Sequence, residues 1–256
     1  INVFGLSISA MDTNFLSLPH NHKQELKKNL KLFKKLHYRD FWCKMMIKYL
    51  TPFKQTSRSP DPVLAFNTQV PKDMINSVTS PIKGKYVLYG FGLTDGEKHY
   101  VKLKQLKNQF NNNGYKFIDL PFPEGNYNEL SDEKFDHHLS PLEWYKLIQN
   151  SSGYIGEKFH PLIIAIHNKI PFYAIDRNAD RISKRFLVPI RIKFQSKTWD
   201  VCKYFGFLPS YTPLSEFEDK SVQFILDRIL KANWSFKKAE QMTQKFIKTV
   251  KDFSIE

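Results

Sequence analysis

Apolar and polar positions along the chain change period several times, and each change predicts an element. Asn2-Val3-Phe4-Gly5-Leu6-Ser7-Ile8 reads as a buried strand running into a loop. From Lys23 to Leu36, Leu26, Leu30 and Phe33 recur at helical spacing with lysines opposite, which predicts one amphipathic helix. Phe41, Trp42, Met45, Met46 and Tyr49 make a second stripe, expected to face a core rather than a cofactor. A stretch with Pro71, Ser77, Thr79, Ser80, Pro81 and Gly84 then reads as a linker.

Beyond it, strands and helices alternate. Tyr86 to Tyr89, Tyr115 to Leu120, Tyr154-Ile155 and Ile170 to Ile175 are the expected strands. Helices are expected over Lys98–Asn111, which Asn113-Gly114 stops, after Ser140, and over Pro161–His167. Ser140-Pro141-Leu142-Glu143 is a capping box with proline at the first helical position. Pro121 to Leu139 is a polar loop long enough to be functional. This alternation predicts a parallel, doubly wound sheet, followed by two amphipathic tail helices joined near Asn233-Trp234-Ser235.

Composition changes this picture little. No apolar run approaches the roughly 20 residues that span a bilayer. Cys43 and Cys202 stand far apart and suit a reducing compartment as buried apolar residues, so the expected location is cytoplasmic. The chain opens at Ile1 directly in strand-like sequence, which gives the expectation of a missing earlier part. A net charge of +14 favours anionic partners, although lysine-rich composition accounts for most of it. The basic residues are dispersed, no nucleic-acid motif appears, and no Walker loop, dinucleotide glycine fingerprint or Gly-x-Ser-x-Gly elbow is present.

Candidate chemistry gathers at loops after strands. In Gly156-Glu157-Lys158-Phe159-His160-Pro161, a strand end turns into a helix start. With Pro161 read as the first helical residue, His160 falls near the N-cap, where open N–H groups and the dipole favour an anion. Lys158 adds a full positive charge, and a histidine there could move a proton; a plain capping role stands beside that reading. Arg39, in Tyr38-Arg39-Asp40, could fork onto a carboxylate or phosphate, or simply pair with a neighbouring aspartate. Asp176-Arg177 to Arg181, Lys184 and Arg185 form a cation-dense run after another strand. His137-His138, near Asp132 and Asp136, lack a third ligand at a recognised spacing, so no metal is expected.

Taken in order, these segments resemble the polysaccharide pyruvyl transferase family. Gly5-Leu6-Ser7-Ile8 is similar to its Gly-x-Ser-Ile segment, Tyr38-Arg39-Asp40 to its Val-Arg-Asp step, and Ser59-Pro60-Asp61-Pro62-Val63 to its Asp-Pro segment. Leu139 to Trp144, Tyr154 to His160, Ala165 and Ile170-Pro171-Phe172 resemble its helix, strand, Arg-Leu-His-Gly-like turn, small-residue helix and Pro-led strand. Lys158 stands where the family usually has arginine, and Pro161 where it usually has glycine.

The resemblance implies an α/β fold of two Rossmann-like halves, like the B-type glycosyltransferases, with the first half incomplete here. The expected division is residues 1–80, 81–218 and a helical tail, 219–256, packing back toward the first domain. It implies ketal transfer of pyruvate from phosphoenolpyruvate, with no cofactor, to a sugar of a glycan or lipid-linked acceptor, and allows peripheral membrane association. His160 and Arg39 would be catalytic; Lys158, Arg177 and Arg181 would bind the donor. A nucleotide-sugar transferase, with Asp176 receiving ribose hydroxyls, and a non-catalytic glycan-binding module are the alternatives.

Overall fold

A computed structural model describes residues 3–10, 15–135, 138–181 and 196–255. The first half is a three-stranded parallel sheet, β1 (Val3–Ile8), β2 (Phe33–Tyr38) and β3 (Thr56–Arg58), in that spatial order. The helices α1 (His20–Leu32) and α2 (Phe41–Leu50) connect its strands. The helix expected to run to Leu36 stops at Leu32, and Phe33-Lys34-Lys35-Leu36-His37-Tyr38 goes straight into β2. Leu36 is buried and its neighbours are partly or fully exposed, and the helical spacing of Phe33 concealed the strand.

α2 also departs from expectation. Cys43, Met46, Ile47 and Leu50 face the core, whereas Phe41, Met45 and Tyr49 are exposed. The apolar content of α2 extends around the helix, so its pattern did not reveal which side was covered.

A 3-10 turn (Pro62–Ala65) and α3 (Phe66–Gln69) lead into the segment expected as a linker, which itself holds the short helix α4 (Lys72–Asn76). Leu64, Ile75 and Ile82 from this stretch join the core of the second half.

That second half is a five-stranded parallel sheet of β4 (Tyr86–Gly90), β5 (Lys116–Asp119), β6 (Gly153–Gly156), β7 (Phe172–Asp176) and β8 (Tyr211–Pro213), ordered β5-β4-β6-β7-β8. Its helices are α5 (Leu93–Lys98), α6 (Tyr100–Asn112), α7 (Pro141–Gln149), α8 (Phe159–His167), α9 (Asn178–Arg181), α10 (Lys197–Phe205), α11 (Val222–Leu230) and α12 (Lys237–Ile255). The capping box forms at α7 with both of its hydrogen bonds. Every residue of β4, β6 and β7 is buried, as strands covered on both faces require. Two cores result, one on each face of this sheet.

The two halves are joined by packing and by charge. α12 lies against the Pro62–Ala65 turn and α8. Asp200 on α10 accepts from the Phe41 amide at 3.2 Å and pairs with Arg58 of β3 at 2.6 Å, while the Arg58 guanidinium lies 4.0 Å from the Tyr204 ring. Cys43 and Cys202 are free and buried, and burial pushes the Cys43 thiol up to about 12.

Candidate active site

Strand order in the second sheet reverses beside β4: β5 lies on one side and β6, β7 and β8 on the other. The crevice beyond the carboxyl ends of β4 and β6 is therefore a topological switch point, where ligands bind in open parallel sheets. Gly90 and Gly156 pair there, and a Cβ on Gly156 would come within 2.5 Å of the Gly90 carbonyl oxygen. Only glycine permits that approach.

The turn after β6 is fixed by its own hydrogen bonds. The Glu157 amide donates to Gly90 O at 3.0 Å, and the Lys158 amide donates to the Tyr154 hydroxyl at 3.2 Å. Helix α8 begins at Phe159, two residues before the expected start, with Lys158 at the N-cap position and no side-chain cap. Pro161 is consequently the third helical residue and His160 the second. Pro161 still lacks only an N–H that the first turn leaves unpaired. His160 is exposed in this first turn, so it is not a buried cap.

Lys158 extends its ammonium to Glu124 at 2.8 Å, 5.0 Å from the Phe122 ring. Phe122 meets Trp144 edge-on, and the Trp144 indole donates to Pro121 O at 2.8 Å. The long loop after β5 is thereby tied to α7. Between them and α8 opens an apolar pocket of about 440 Å³, with His160, Trp144, Phe122 and Phe66 in its wall.

The first half approaches this turn at Phe159. Ser7 adopts φ 53°, and its hydroxyl donates to Pro60 O at 2.7 Å while its amide donates to Ser59 Oγ at 3.1 Å. The Arg39 amide donates to Ile8 O, and the Ser59 amide to Tyr38 O. Three segments far apart in sequence thus converge at the carboxyl end of the first sheet. Arg39 pairs there with Asp61, and its guanidinium carbon lies 5.7 Å from the ring of Phe159, the residue before His160. Its sequence neighbour Asp40 instead caps α2 and receives the Ser9 hydroxyl at 2.6 Å.

Arg177 reaches the switch point from the end of β7, with Nε 3.1 Å from Asp95 and a terminal nitrogen 3.8 Å from Glu157. Glu157 Oε1 accepts from the Gly92 amide at 2.7 Å. Burial, with Asp95 close by, pushes the Glu157 carboxyl up to about 7. Sequence reasoning passed over both acids. Asp95 and Glu157 are brought together only by the adjacency of β4 and β6, and no spacing signals that.

Arg181 closes α9, and its side chain lies outside the described residues, as do Lys184, Arg185 and His137. Asp176 is occupied by its own turn. It accepts from the Asn178 and Ala179 amides at 3.0 and 3.2 Å and from the Tyr211 hydroxyl at 2.8 Å. These bonds account for Asp176 without a ribose.

The geometry defines a parallel α/β protein with a histidine and a lysine at a helix N-terminus and an arginine from a second sheet beside that helix's first residue, Phe159. The chain belongs to the polysaccharide pyruvyl transferase family, whose model matches residues 1–178, and it is accordingly a transferase. Among solved structures it is similar to a variant of the wall teichoic acid polymerase TagF. There, identity is 13%, the TM-score 0.41, and the alignment covers 100% of this chain and 68% of that one. No curated protein matches.

Proposed function

We propose that the protein transfers pyruvate from phosphoenolpyruvate to two hydroxyls of a glycan sugar, forming a ketal and releasing phosphate. The observation that carries this reading is the convergence just described. The segments around Ser7, Arg39 and Asp61 meet one another beside Phe159, at the turn holding Lys158 and His160. Four stretches similar to the family's motifs thus meet around the start of α8.

The chemistry follows from charge. The donor is a small polyanion, and the uncapped first turn of α8 offers N–H groups with a lysine beside them. His160 delivers a proton to the methylene carbon of the donor, which makes the adjacent carbon electrophilic. One sugar hydroxyl adds to that carbon and returns a proton to His160. The second hydroxyl then displaces phosphate, which leaves with that hydroxyl's proton, and closes the ketal. Arg39 and Lys158 hold the donor's negative charges, and the pocket beside His160 receives the acceptor. Arg177, braced by Asp95 and Glu157, contributes positive charge at the rim.

The test is phosphate release from phosphoenolpyruvate in the presence of a glycan acceptor. His160→Ala should lower turnover about 10²–10⁴-fold, the usual worth of a general acid, with donor binding retained. Lys158→Ala should weaken donor binding first. Full activity in His160→Ala would remove the histidine from the reaction.

A further inference from the structure

The outward face of α2 carries an apolar stripe that the first core touches only at Tyr49, whose ring lies 5.5 Å from that of Phe15. Phe41, Met45 and Tyr49 follow at helical spacing and are 37, 44 and 52% exposed; the turn after the helix presents Phe53, 97% exposed. The patch continues across the neighbouring segment. The Lys23 ammonium donates to Leu16 O at 2.7 Å and lies 5.9 Å from the Tyr49 ring, and Leu16 is itself 43% exposed. Lys48 is exposed within the same helical face.

Charge says what covers it. Arg39 and Arg58 are paired with Asp61 and Asp200, and residues 1–58 still hold nine lysines against three acids. A second copy of so basic a surface would repel its partner, which disfavours self-association. Nucleic acid would use the charge but leave the stripe exposed. An aromatic at a turn tip and an aliphatic helix face fringed by lysines suit the boundary between lipid headgroups and acyl chains. No helix among the described residues is long and apolar enough to cross a membrane, so contact of this kind is peripheral.

We infer that α2 and the Phe53 turn dock this protein onto an anionic lipid surface. The side chains of Met45, Tyr49 and Phe53 enter the interface, and Lys48 and Lys23 meet the headgroups. This inference is independent of the donor chemistry proposed above.

Co-sedimentation with phosphatidylcholine vesicles, with and without phosphatidylglycerol, tests it. Binding should require the anionic lipid and fall with added salt. Lys48→Ala should weaken partitioning about fivefold. Met45→Ser combined with Phe53→Ser should weaken it at least about tenfold, with thermal unfolding unchanged because both side chains are exposed. Phosphate release with a water-soluble acceptor should be unaffected. Equal binding to neutral vesicles, indifference to these substitutions, or no binding at all would overturn the inference. So would a dimer in solution that the double variant dissociates, because the stripe would then belong to a second copy.

Discussion

The two parallel sheets of this protein solve the same problem with different means. The second sheet is buried on both faces, and its core includes the fully buried rings of Tyr86, Tyr89, Tyr154 and Tyr173. The first has one small core around Leu36, Cys43 and Ile47, a strongly basic composition and a helix with apolar residues turned outward. The dry half fixes the histidine turn. The wet half brings an arginine to it and offers a surface to something else. Rigidity and exposure are thus divided between the halves.

Gly156→Ala should break the comparison most severely. Its methyl group would meet the Gly90 carbonyl, a backbone atom that cannot swing aside. A loss of about 3 kcal/mol, read from denaturant unfolding, is expected. An unchanged midpoint would show that the second half is looser at its switch point than the contacts indicate.

Arg58→Ala tests the connection between halves. It strands Asp200, a mostly buried carboxylate whose acidity burial already weakens, without its guanidinium. The expected cost is about 2 kcal/mol. Limited proteolysis should then cut near the Phe41 end of α2 sooner than in the parent.

The pH dependence should come from the dry half. Burial raises Glu157 and Asp119 to about 7, above their unfolded values near 4. The folded state therefore holds more protons than the unfolded state between about pH 4 and 7. Stability is highest below that window and falls as pH rises through it. Glu157→Gln keeps an oxygen for the Gly92 amide and should recover on the order of 1 kcal/mol at pH 8 relative to pH 5. If the variant and parent have parallel pH profiles, Glu157 is already ionised in the native protein.

The smallest effect belongs to the outward stripe. Met45→Ser alone should alter unfolding free energy by less than about 0.5 kcal/mol, since the side chain contributes little to the core. A larger loss would mean that α2 is covered after all.

Local chemistry was the legible part of the sequence. The capping box at Ser140, the stop at Asn113-Gly114 and the strand alternation after Tyr86 rest on neighbours within a few residues, and each forms. The strand over Phe33–Tyr38 was hidden because Phe33 completes a helical stripe as well as it opens a strand, and there is no turn residue between them. The outward side of α2 was hidden for a related reason: pattern reveals an apolar face but not whether anything packs on it. The strand–turn–helix setting of His160 and the place of Arg39 after a strand were readable from neighbouring residues. The bracing of Arg177 by Asp95 and Glu157 was not, since it depends on strand order.

The hydrogen bonds of the histidine turn also bear on how the backbone exchanges with solvent. Loops in most proteins trade their amide hydrogens quickly, because brief local openings cost little. Here the Glu157 amide is bound to β4 and the Lys158 amide to a buried tyrosine hydroxyl. Deuterium should enter these two positions about as slowly as it enters the strands. A turn held in this way keeps its shape, and any adjustment on binding falls to the chain segments that face it.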